Sequence, residues 1–118
     1  GGQEIGYVDM AGDAQGGPSV SQTGTLYVGG WAADTAAGAP VQTVTVFLDG
    51  NSIGTATLGG ARPDVAQTFS RSDYTNSGWS LQISAGNLST GQHSVTAAAT
   101  GSSGSGPLLR TRTINVTP

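Results

Sequence analysis

The chain has 118 residues, with no cysteine and no lysine, one histidine, one methionine and only 9% charged side chains. Without cysteine there is no disulfide, no thiolate metal site and no cysteine nucleophile. Four arginines against seven acids leave a formal charge of −3, so the basic footprint that phosphate binding needs is missing. Nucleic acid and anionic membranes are therefore excluded as expected partners. No apolar run approaches the ~18 residues of a membrane span, so no membrane insertion is expected. No secretory leader is read at the amino terminus, and the Gly1-Gly2 start reads as a tag or a cut within a longer protein. A single His93 cannot build a multi-histidine zinc site, and no Gly-x-Ser-x-Gly nucleophile elbow occurs. No cofactor is expected.

What is present in excess is glycine, 20 residues of 118, against about 7% in an average protein. Serine, threonine and valine are also frequent, and apolar residues alternate with polar ones at a period of two, the mark of half-buried strands. Val44, Val46 and Leu48 share one face of Thr43–Leu48. Asp49-Gly50-Asn51 supplies hairpin turn chemistry, and Ser52–Leu58 reads as the returning strand. Trp79, Leu81 and Ile83 share a face in a further strand, as do His93, Val95, Ala97 and Ala99. Weaker strands are expected over Ile5–Met10, Thr25–Ala33, Val65–Phe69 and Leu108–Val116. Turn clusters recur at 12–24, 34–40, 59–63, 76–78 and 101–107. The Gly/Ser tract 101–106 lies between strand-like segments and reads as a hairpin loop. No helical stripe of ten or more residues occurs, and the connections are too short for crossover helices. The expected fold is all-β, an antiparallel sandwich of about seven to nine strands. It forms a single domain over 1–118, with 1–4 as a candidate tag or linker remnant.

Six short pieces carry a family likeness: Val28–Asp34 (VGGWAAD), Val44–Gly50 (VTVFLDG), Ile53–Ala56 (IGTA), Arg62–Ala66 (RPDVA), Ser77–Trp79 (SGW) and Leu88–Val95 (LSTGQHSV). In this order, from Gly6 to Val116, the chain resembles bacterial immunoglobulin-like modules. The resemblance implies an immunoglobulin-like β-sandwich in a secreted or surface-attached multidomain protein, often beside enzymatic domains, acting as spacer, adhesion unit or accessory binding unit. It names no ligand. The chain departs from the family after the last hairpin, where a Gly/Ser tract replaces the usual Asp-x-x-Gly turn.

The side chains able to do chemistry are few. His93 shares the inward parity of Val95, and neither a nucleophile nor a partner acid is placed beside it by sequence. Asp34 and Asp49 sit at turns, where aspartate commonly bonds nearby backbone. Glu4, Asp9, Asp13, Asp64 and Asp73 are scattered, too sparse for a calcium loop, so neither a catalytic nor a metal site is expected. The two Asn-x-Ser/Thr matches at Asn87 and Asn115 are short enough to arise by chance.

Aromatic rings are the best ligand candidates. Trp79 is expected in the core. Simple alternation sets Trp31 opposite Leu26 and Val28, whereas a bulge at Gly29-Gly30 would turn it inward. Tyr74, in a loop, is expected to be the exposed ring. Arg62-Pro63-Asp64-Val65 is expected to be a structural turn: Pro63 fixes its φ, Asp64 accepts backbone amides, and Val65 opens a strand.

The expected function is that of a non-catalytic spacer or adhesion module, extracellular or at the cell surface, whose partners are neighbouring domains. The alternative is a carbohydrate-binding accessory module that meets polysaccharide through Trp31 or Tyr74. Exposed aromatics on one face favour the second reading, and their burial favours the first.

Overall fold

The computed structural model describes residues 2–118. Ten strands form two facing sheets. The first has the order β1 (Glu4–Gly12), β3 (Thr25–Asp34), β7 (Gly78–Ser84) and β6 (Thr57–Gly60). The second has the order β2 (Ser19–Ser21), β10 (Arg112–Thr117), β8 (Gly91–Gly101), β4 (Thr43–Leu48) and β5 (Asn51–Thr55). Short β9 (Gly104–Pro107) pairs with the far half of β8, beyond β10. Every strand pair is antiparallel except β2 with β10. Alternation does what it should: Val44, Val46, Leu48, Val95, Ala97 and Ala99 meet Val8, Leu26, Val28 and Trp79 between the sheets. His93 lies on the parity of Val95, at the half-buried beginning of β8.

Three local departures matter. The return strand expected over Ser52–Leu58 divides at buried Ala56, so β5 stays with β4 while β6 crosses to the other sheet beside β7. The Gly/Ser tract is itself the β8–β9 hairpin, with Gly101 paired to Gly104. Three-residue β2, hidden in a turn cluster, was not expected. Gln3 and Glu4, within the segment read as a tag or linker remnant, are held by the fold: the Gln3 amide donates to Thr35 Oγ1, and Glu4 pairs with Asp34.

The largest correction concerns residues 62–69. Instead of a turn leading to a strand at Val65, Pro63–Phe69 is a helix, α1. Proline at the first helical position loses no bond, since that N–H has no intrahelical partner, and its φ suits the helix. Val65 and Phe69 then stand one above the other on one face. Ser70, left-handed at φ 53°, ends the helix by donating its N–H back to the last turn. A 3-10 turn at Ser72–Tyr74 follows. This β6–β7 connection lies over the outer face of the first sheet and covers a second cluster of Trp31, Ala33, Val65 and Tyr74.

Candidate functional site

The outer cluster is built from pairing upward. Tyr7 is opposite Trp31 in the β1–β3 ladder, Trp31 is opposite Gly78 in β3–β7, and Tyr7 also bridges to Leu109. Paired residues share a face, so Leu109, Tyr7 and Trp31 form a row across the outside of the sheet. The bulge considered at Gly29-Gly30 does not occur, and the register shift of this ladder lies in β1, between Val8 and Met10. Trp31 therefore keeps the outward parity of Tyr27. It is 7% exposed because α1 covers it on the outer side of the sheet, the side that simple alternation gives it.

The rings touch in sequence. Tyr7 stacks on Trp31 at 6.1 Å between centroids and 10° between planes. Phe69 tilts against Trp31 at 5.3 Å, and Phe69 and Tyr74 meet in a T-shaped arrangement with centroids 5.6 Å apart. Tyr74 is not the exposed ring. It is 2% exposed, under Phe69 and with the Arg71 guanidinium 4.5 Å over its face. The most exposed rings are Tyr7 and Phe69, with Tyr27 and Phe47 half-buried, and sequence singled out neither Tyr7 nor Phe69. Tyr7 lies on the polar parity of β1, and Phe69 was read as part of a strand.

Asp64 does not close an Asx turn. Arg62 Nε and one terminal nitrogen donate to its two oxygens at 3.0 and 2.9 Å, while the other terminal nitrogen reaches Asp9 at 2.8 Å. The arginine bonds hold the Asp64 carboxyl below the usual carboxylate range. Gly78 makes room for this arrangement, since a Cβ there would stand 3.2 Å from Arg62 Cγ and closer still to Gly60 backbone. The Asp9–Arg62–Asp64 triad separates two surface clefts. One, of about 260 Å³, is lined by Tyr7, Trp31, Phe69, Thr68, Arg62 and Asp64. The other, of about 690 Å³, runs over Gly29, Gly30, Gly60 and Gly78, with Met10 and Asp9 along it.

Two further polar clusters stand apart. His93 Nδ1 is 2.6 Å from Asp49 and Nε2 is 2.7 Å from the Ser89 carbonyl, with the Ser89 hydroxyl at 3.4 Å. Aspartate, histidine and serine thus converge in a way that sequence did not reveal. Both ring nitrogens face oxygen acceptors, which suits the doubly protonated ring. The Ser89 carbonyl and then Asp49 accordingly raise the His93 pKa. An imidazole whose Nε2 proton is given to a carbonyl is not free to take one from the serine. Asp49 also accepts the Ser94 amide at 2.8 Å, so the trio clamps the β4–β5 turn to β8.

At the other end of the molecule, Asp34 is buried. Burial alone would raise its pKa, but the amides of Ala37 and Ala36 and the hydroxyls of Ser103 and Ser102 outweigh this and keep it strongly acidic. Glu4 beside it goes the opposite way, raised first by burial and then by Asp34. Asp34's oxygens are thus taken up by protein donors, and among the described residues no three of His, Asp or Glu converge to hold a metal. No protein-family model matches the chain, and no curated protein is similar to it in sequence.

Proposed function

We propose that the chain is a non-catalytic, immunoglobulin-like module of a larger bacterial protein, exported or surface-attached, that holds neighbouring domains apart or presents them for adhesion. One observation carries this reading: the chain enters and leaves at opposite ends of the sandwich. Glu4 pairs with Asp34, where β3 finishes, whereas Thr117 accepts the Gln22 amide close to where β3 begins at Thr25. Ten residues of strand separate those ends by roughly 30 Å. Inserted between two folded reporter domains, the module should add about that length to their separation in small-angle scattering. Spin labels on Gln3→Cys and Thr117→Cys should give one narrow distance. Reporters that collapse onto each other, or a broad label distribution, would overturn the spacer reading.

A second reading, carbohydrate binding, is favoured by a separate observation. Tyr7 and Phe69 leave ring surface open beside charged groups that have hydrogen-bonding capacity to spare. Large aromatics placed in this way provide both an apolar face and a polar edge. The surface reading and the spacer reading are compatible, because the cleft lies on the side of the sandwich and not at its ends.

A further inference from the structure

We propose that the cleft between Tyr7 and Phe69, floored by Trp31 and walled by the Arg62–Asp64 pair, is a subsite for a neutral polysaccharide, with one pyranose unit against the rings. The proposal deepens the carbohydrate reading and depends on it. A pyranose has a face of C–H groups and a rim of hydroxyls. Tyr7 and Phe69, 37% and 43% exposed on the two sides of Trp31 in one cleft, offer apolar ring surface to the first. The rim needs donors and acceptors close together. Arg62 uses three of its five N–H groups on Asp9 and Asp64, leaving two, and exposed Asp64 retains free lone pairs on both oxygens.

Charge selects the polymer. One cation flanked by two carboxylates leaves the wall net negative, so a uronic acid or a phosphate is repelled where a hydroxyl is not. Continuity selects a chain over a single sugar: Arg62 borders the aromatic cleft on one side and the glycine-floored groove on the other, so units beyond the first have a surface to follow. A second copy of the protein is a poorer occupant. Tyr7, Phe69 and Leu109 are 37%, 43% and 57% exposed, on the order of 300 Å² of apolar surface together if an aromatic side chain offers 150–250 Å². A stable interface buries about 800 Å² on each partner.

The test is calorimetric titration of the chain with cellohexaose, xylohexaose, mannohexaose and chitohexaose, and with a hexauronate of the same length. At least one neutral hexaose should bind, and the hexauronate more weakly. Tyr7→Leu, which keeps apolar cover over Trp31 but removes the ring, and Phe69→Ala should each weaken binding roughly tenfold. Tyr7→Phe should bind like the wild type, and tryptophan fluorescence should confirm that each variant is folded. If no neutral hexaose binds, both the carbohydrate reading and this subsite fail. If a hexaose binds equally to wild type, Tyr7→Leu and Phe69→Ala, the carbohydrate reading stands and this cleft is not its site. Preference for the hexauronate, or a dimer in sedimentation that Tyr7→Leu dissolves, would likewise overturn the proposal.

Discussion

Two tryptophans, both buried, are held by different means. Trp79 lies between the sheets among valines, alanines and Leu26, where each strand contributes every second residue. Trp31 lies on the opposite side of the same sheet and is covered by a helix and a 3-10 turn that connect β6 to β7. The first core is a property of strand alternation. The second depends on one connection folding back over a face that alternation alone would leave wet. Parity thus tells which face a side chain occupies, and burial depends also on what the connections cover.

The sharpest way to break this comparison is to truncate both rings. Trp79→Ala should cost about 3–5 kcal/mol, as for other large-to-small changes in a packed core, and destabilise the whole domain in a single transition. Trp31→Ala should cost about 2–3 kcal/mol and act locally. Hydrogen exchange should rise first over residues 63–75, while the β4–β8 amides keep the protection of the global fold. Equal loss of protection in both regions would mean that the two cores are one cooperative unit.

A smaller effect is expected at the polar clamp of β8. His93 holds its proton more tightly in the folded state, so its contribution is complete below the unfolded value near 6.5 and fades as pH rises through the folded value. Asp49 is lowered, first by the Ser94 amide and then by His93, so its contribution is lost as pH falls below about 3.8. Thermal midpoints should therefore decline on going from pH 6 to pH 9, and Asp49→Asn should flatten that decline. An imidazole proton titration at or below the value of an isolated histidine would contradict the geometry.

The smallest change is expected at Asp64. Exposed and bonded to Arg62 alone among side chains, it is held mainly by that arginine, with the neighbouring Val65 amide a lesser contributor. Asp64→Ala should leave the thermal midpoint within a few degrees of wild type, with the difference shrinking further at 1 M salt. A large loss that persists in salt would restore the capping role expected from the sequence.

The inter-sheet strands were legible because Thr43–Leu48, Gly78–Ser84 and Gly91–Gly101 alternate over six residues or more. Helix α1 was not, because seven residues span two turns and offer only one i, i+4 apolar pair, Val65 with Phe69. Over so short a stretch Val65, Gln67 and Phe69 also read as one face of a strand. Pro63 followed by Asp64 was the available signal, since proline at the first helical position and an acid in the first turn mark a helix start. The misplacement of Tyr74 followed from missing that helix: with Phe69 in a strand, nothing in sequence brings a ring to cover it. The ring pair open to solvent was hidden for a related reason, because Tyr7 becomes a platform only when Trp31, 24 positions away, is paired beside it.

The placement of the two chain ends has a mechanical consequence. β1 runs from the Asp34 end of the sandwich toward the Tyr27 end, and β10 finishes near Gln22 at that same far end. Tension applied through both termini pulls β1 and β10 lengthwise in opposite senses. Each would have to slide along its neighbours, β1 against β3 and β10 against β8 and β2. Lengthwise sliding loads the rungs of a ladder together, whereas peeling from one end opens them one by one. A domain built in this way yields to force in a single event, and strung in series with others it would behave as a stiff link until that event.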